Sequence, residues 1–429
     1  MMLCDNGVGG TQEMSETPRV LRPNRDQLEL RPTDLESLIP PGHRVRSVWD
    51  FVSGLDLSPW YESIRAVEGE AGRPAIDPAI LLTLWIYATT EGVGSARAVA
   101  RLCEQHDAYR WICGGVAVSH RTLSGFRVMH EEKLDRLLTQ SVVTLVEAGL
   151  VRLDRIAQDG MRVRASAGAA SFRRRTRLRE LEREVRGRLA RLRRELEDDP
   201  AATSRRVAAA REKAARDRLS RVGRALAELK KREAEKTNEK EKKAVRASTT
   251  DPEARVMKMA DGGFRPAYNV QLAADVGSQV VVGVEVTDAG SDQRQMGPMR
   301  EQVEQRYGQQ PREWLVDGGY GALQEIEAAE KAGSRVYAPP VTPRNSERDP
   351  YKPLANDSEE IGRWRRRMGR ESAKQKYKDR GSTIECVNAH TRNRGLWQFG
   401  VRGRLKARCV VLIQALTQNM LCGVRLREA

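Results

Sequence analysis

Residues 155–165, RIAQDGMRVRA, alternate apolar and polar side chains and place an acid, Asp159, in the middle of the run. A period of two is that of a β-strand, and a carboxylate inside such a strand is costly unless it is paired, hydrogen bonded or bound to metal. Downstream, AYNVQLAADVGSQVVVGVEVTDAG (267–290) reads as two strands joined at Gly277-Ser278, a hairpin signal. A helix follows over 295–308, then REWLVDGG (312–319), an apolar strand that ends in a second acid, Asp317. Helix 322–333 and strand 334–340 complete the order strand, strand, strand, helix, strand, helix, strand. That order predicts an α/β fold with a mixed sheet, carried by residues 151–170 and 247–429. A stretch of roughly 35 residues rich in Pro, Asn, Asp and Arg comes next and reads as a long irregular loop, functional or disordered. The chain closes in helices around 382–395 and 407–424.

Before the first strand the texture differs. Residues 1–25 are polar and patternless, as expected of a disordered tail. Over 26–150 apolar residues recur at helical spacing, as in AILLTLWIYATTEG (79–92) and KLDRLLTQSVVTLVEAGL (133–150), with Pro74 and Pro78 at helix starts, so an all-α domain is expected. Within it, residues 95–130 give two helical patterns separated by Gly114-Gly115, with Ser119 as a cap before His120 and Arg121. A helix that starts on such residues can enter the DNA major groove; helical hairpins with polar ends also occur in any all-α domain, and both readings stand.

Residues 171–250 hold 27 Lys plus Arg against 14 Asp plus Glu, a surplus of 13 in a chain whose net charge is +16. With Pro200 as its one proline and a seam of Leu178, Leu181, Leu189, Leu192, Leu219, Ala225, Leu226 and Leu229, the segment 171–246 predicts a basic helical hairpin inserted into the sheet domain, turning near 198–204. It is either a clamp on the DNA backbone or a solvated coiled coil serving as scaffold or dimer arm.

The positive balance points to a polyanionic partner, nucleic acid first. No uninterrupted apolar run approaches the ~20 residues needed to cross a bilayer, and the N-terminus has no apolar segment behind a basic start. A soluble, cytoplasmic protein is expected, with no membrane partner. The cysteines, at 4, 103, 113, 386, 409 and 422, make no CxxC pair, which argues for reduced thiols rather than a zinc site or a disulfide framework.

Three acids stand out: Asp159 and Asp317 in strands, and Glu385 near the start of a late helix. If the first and fourth strands are neighbours, the two aspartates meet, and a helix across the sheet adds the glutamate. Such an all-oxygen cluster suits Mg²⁺ or Mn²⁺ rather than zinc, and two ions together stabilise the attacking and leaving oxygens of a phosphoryl displacement. Among the remaining residues, Trp314 is expected in the core. Trp397 is expected to pack under the last helix, with base stacking as the alternative. His390 is expected at the surface, Asp292 as a helix N-cap and Asp275 at a strand end facing solvent.

Taken together, GRPAIDPAILLTLWIYA (72–88), QDGMRVRASAG (158–168), DPEARVMKMADGGFRPAYNVQLAADV (251–276), WLVDGGYGA (314–322) and IECVNAHTRNRGLWQFGVRGRLKA (384–407) resemble the DDE transposases of bacterial insertion sequences that carry an InsH-like N-terminal helical domain. The resemblance spans about residues 26–422. It implies an RNase H-like core with Asp159, Asp317 and Glu385 as metal-holding catalytic acids, and two Mg²⁺ (or Mn²⁺) ions. It also implies cleavage and strand transfer at inverted-repeat DNA ends, with a homodimer on double-stranded DNA. The family's Tyr, Arg, Glu, Lys signature falls on Tyr377, Arg380, Glu385 and Arg392, but Arg380 stands five positions before Glu385 instead of four, and Arg392 replaces the lysine. These departures keep open an idle DNA-binding descendant, and a nuclease without strand transfer shares the same triad.

Overall fold

The computed structural model describes residues 34–66, 74–198, 204–341 and 348–428; the tail predicted at 1–25 and most of the turn predicted at 198–204 lie outside them. The first helices are α1 (Arg44–Ser53), α2 (Ser58–Tyr61), α3 (Pro78–Thr90), α4 (Ala96–Gln105), α5 (Asp107–Cys113), α6 (His120–Met129) and α7 (Glu131–Glu147). Asp77 caps α3 by accepting the Ala79 N–H at 2.7 Å, and Pro78 occupies the first turn, where no donor is needed. From Leu81 to Thr89 this helix is buried on every side, as its unbroken apolar sequence dictates. Gly114 ends α5 at φ +55°, and Ser119 opens α6 by accepting the Thr122 N–H at 3.2 Å. The helix-turn-helix outline at 95–130 is therefore present.

β1 (Arg155–Arg164) leads through β2 (Phe172–Arg173) into the arm, α8 (Arg175–Asp198) and α9 (Arg205–Ala234). Ion pairs Arg175–Glu233 near one end and Arg193–Glu212 near the other make the two helices antiparallel. α10 (Glu239–Ala244) and β3 (Ala247–Ser248) return the chain, β3 pairing with β2. Leu178, Ala225, Leu229 and Ala247 form a small separate core at the arm's base. Beside it Arg232, 5% exposed, donates to the carbonyls of Pro252, Glu253 and Ala254. A buried guanidinium with these acceptors fixes the arm to the body of the protein.

The sheet contains β4 (Arg255–Lys258), β5 (Phe264–Asp275), β6 (Val281–Thr287), β7 (Glu313–Leu315) and β8 (Arg335–Tyr337), with α11 (Met296–Tyr307) and α12 (Leu323–Lys331) between the later strands. Its order is β4-β5-β1-β7-β8, with β6 beside β4 on the outer edge of β5. β1–β5 is antiparallel, and β1–β7 and β7–β8 are parallel, so the sheet is mixed as expected. The free edge of β6 is closed by side-chain amides: Asn419 accepts from Val281 N at 2.7 Å and donates to its carbonyl at 2.9 Å, and Gln302 does the same for Val284. Both amides satisfy backbone groups that an open edge would leave unpaired.

The stretch expected to be a long loop after residue 340 instead holds two helices, α13 (Glu359–Met368) and α14 (Glu371–Arg380). Ser358 caps α13, glutamates fill its first turn and arginines its last, and Ile361, Trp364 and Met368 bury one face. The charge around those three apolar residues had masked a helical period. One π-helical turn, Gly381–Glu385, then joins α14 to α15 (Cys386–Asn393). The last helix, α16 (Arg404–Glu428), is long and apolar enough to span a membrane, contrary to the expectation from uninterrupted runs, yet 72% of its most apolar stretch is buried inside the protein. It packs on α7, β6, α3 and α6 as a core helix.

Candidate active site

The parallel register of β1 with β7 runs Arg155↔Glu313, Ile156↔Trp314, Ala157↔Leu315. Two residues past the last pair stand Asp159, still within β1, and Asp317, just beyond the end of β7, close enough for the Asp317 charge to act on Asp159. Asp317 keeps an extended backbone and accepts the Gly319 N–H at 2.8 Å. Burial, with Asp317 alongside, pushes the Asp159 carboxyl up to about 6 against the pull of Arg380.

Across the face of β1 that carries Asp159 lies the helical run α14–α15. Arg380 donates to Glu385 Oε1 at 2.6 Å, and its other terminal nitrogen stands 3.8 Å from Asp159 Oδ2. Its guanidinium sits 5.8 Å from the centre of the Tyr377 ring. In an α-helix residues five apart diverge by ~140° around the axis. The π turn gains one residue per turn, which brings Arg380 and Glu385 together at their unusual spacing. Glu385 itself is exposed and turned to Arg380 rather than to the aspartates. Among the described residues no three His, Cys, Asp or Glu side chains make a ready metal cage.

Asn388, missed in the sequence, donates to Asp159 Oδ2 at 3.0 Å. Its one available signal was its place three residues past Glu385, on the same helical side. Trp397 is 61% exposed, not packed under the last helix, and the Arg392 guanidinium covers its ring at 5.9 Å. The short turn after α15 carries it outward, its carbonyl accepting Arg164 N at 3.2 Å. His390 is exposed and Trp314 fully buried, as expected. His120 and Arg121 lie exposed in the first turn of α6, on a separate element from the acids.

The opposite face of β1 is polar and buried. Asp292 is not a helix cap: Gln295 holds that position before α11, while Asp292 accepts from Asn269 at 2.7 Å, Gln271 at 2.8 Å and Arg162 at 2.8 Å. Gln271 accepts in turn from Gln158 and Tyr320, and Gln158 accepts from the Trp314 indole. Asp275 does not face solvent either; it is 5% exposed and accepts the Ser278 hydroxyl and N–H in the hairpin turn. A carboxylate that closes a tight turn is shielded by that turn.

Two family models match the chain: Transposase domain (DUF772) over residues 33–129 and Transposase DDE domain over residues 233–420. No curated protein and no solved structure matches it. The first model covers the helical N-terminal region and the second takes in Asp317 and Glu385, while Asp159 falls between them on the strand that pairs with β7. With a transposase model on either side of that strand, the chain belongs to the DDE-type transposases of insertion sequences.

Proposed function

We propose that the protein cuts double-stranded DNA at the inverted-repeat ends of an insertion sequence and joins the freed ends to a target, using an RNase H-like core in which Asp159, Asp317 and Glu385 are the catalytic acids. The placement of Asp159 on β1 beside Asp317, two residues past the paired end of β7, carries this reading. The donor set fits a hard divalent cation, being all oxygen, and burial, with Asp317 as a smaller contribution, raises the Asp159 carboxyl, which is the environment a bound cation would relieve. When bound, two Mg²⁺ or Mn²⁺ ions would supply charge stabilisation to the attacking and leaving oxygens at phosphorus. Asp159 and Asp317 would hold them, with Glu385 joining after release from Arg380. Arg380, freed from Glu385, and Arg392 are then placed to hold DNA phosphate, Tyr377 to support Arg380, and Trp397 to offer an aromatic face to a base. His120 and Arg121 would meet the terminal repeats, and a homodimer would hold two ends together.

The test is cleavage of labelled DNA carrying the element's terminal repeats, with Mg²⁺ or Mn²⁺, by the natural chain and by Asp317→Ala. Cutting should vanish in the variant, on the order of a thousandfold or more for the loss of an essential charged group. Equal cutting by both sinks the assignment. Binding without cutting by either points to an idle DNA-binding protein, and cutting without joining of a precut 3′ end to a nuclease.

A further inference from the structure

Asn388 is 6% exposed, and its Oδ1 has no hydrogen-bond partner among the described residues, although its Nδ2 bonds Asp159 Oδ2 at 3.0 Å. Buried amide oxygens are rarely left unpaired, and each such case calls for a reason. The neighbouring Asp159 gives one. Facing an anionic oxygen with free lone pairs, the amide must present its N–H₂ side, which leaves the carbonyl turned away. A cation on that oxygen reverses the sign of what the amide faces. A half turn about the Cβ–Cγ bond exchanges two groups of nearly equal size, so the reversal needs no repacking.

We propose that Asn388 is a further oxygen donor of the cation site at Asp159 and Asp317, tethering Asp159 through its N–H₂ before a cation binds and presenting Oδ1 to the ion when it does. This rests on reading the two aspartates as cation ligands. Neutral amide oxygens are ordinary ligands of hard divalent cations, and Asn388, in α15, continues the helical run that carries Arg380 and Glu385, so it links that run to the strand that carries Asp159.

The experiment is Mn²⁺ titration of the full chain without DNA, by calorimetry, with folding of each variant followed by circular dichroism and thermal melting. Asn388→Ala should weaken Mn²⁺ binding about 10- to 100-fold, the range for groups that support a metal site. Asn388→Ser replaces it should the alanine variant not fold. Asn388→Asp keeps an oxygen and loses the donor, and should bind at least as tightly as the natural chain. Weakening in both Ala and Asp variants would mean that Asn388 only tethers Asp159, and unchanged affinity in the Ala variant that it does nothing for the ion; either overturns the proposal. Asp317→Asn separates the two levels. If it binds Mn²⁺ like the natural chain, the reading of the aspartates fails; if it loses the ion while Asn388→Ala keeps it, only the role of Asn388 fails.

Discussion

At Gly160 the two faces of β1 come within reach of each other. Its N–H bonds Asp159 Oδ1 at 2.9 Å on the side of the acids, and a Cβ on the other side would stand 2.1 Å from Asp292 Oδ1, 2.4 Å from Gln271 Nε2 and 2.9 Å from Asn269 Oδ1. A methyl group there would push into a buried network, because Asn269 Nδ2 and Gln271 Nε2 both donate to Asp292 Oδ1 and hold the three side chains together. Gly160→Ala should therefore cost about 2–3 kcal/mol of stability, the combined scale of overpacking and a broken buried hydrogen bond. It should also cut DNA cleavage at least tenfold, order of magnitude for a shift of the adjacent acid. Chemical denaturation and the cleavage assay read these separately; a variant as stable and active as the natural chain would show that the clasp is slack. Asp159 and Asp317 were legible as candidates because the first interrupts an apolar strand and the second follows the end of one. Asp292 was not, since a polar loop before a helix reads locally as a cap, and its partners Gln271, Asn269 and Arg162 lie 21, 23 and 130 residues away.

From Ser382 to Arg392 the helix is legible, while α14 before it and the winding that joins the two are not. Sequence spacing assumes 3.6 residues per turn, under which Arg380 and Glu385 diverge; the π turn over Gly381–Glu385 absorbs the extra residue and joins them at 2.6 Å. Such bulges are α-helices with one inserted residue and cluster at functional sites. Removing Ser382, exposed and bonded through its carbonyl to Gln279, should let the run relax to a continuous α-helix with Arg380 and Glu385 four apart, and cleavage should stay within about tenfold of the natural rate, since each hydrogen bond removed is worth only ~1 kcal/mol. Inserting one alanine after Ser382 instead turns Glu385 a further ~100° away and should abolish cutting. A deletion as damaging as the insertion would mean that the π turn itself, not the side-chain facing it restores, is required. The same reliance on local pattern explains why α13 was taken for loop: three apolar side chains among arginines and glutamates make a helix only once there is a surface to bury them against.

The charge of the whole molecule is concentrated on the arm, whose helices, at 1.5 Å per residue, reach on the order of 35–45 Å. Some of that charge is neutralised within it, as in Arg177 with Glu180 and Glu184, Arg186 with Glu182, and Arg216 with Glu212. Arg179, Arg183, Arg191, Arg211, Arg218 and Arg224 are exposed, and none has an ion pair among the described residues. With no ion pair to lose, these six should be dispensable for the fold, and they are the charges that a DNA clamp would present. The arm was legible as a hairpin from its seam and its composition. Its partner was not, because a solvated coiled coil and a DNA clamp share one pattern and differ only in which arginines are left unpaired. Replacing all six by Gln should leave the melting midpoint nearly unchanged and weaken DNA binding. The plot of log affinity against log salt should become shallower by about 0.9 for each phosphate that the arm no longer neutralises. Fluorescence anisotropy on one duplex at several salt concentrations gives both numbers. An unchanged slope with intact folding would remove the arm from the DNA interface, and a loss of dimer in sedimentation at the same time would reassign it to holding two copies of the protein together.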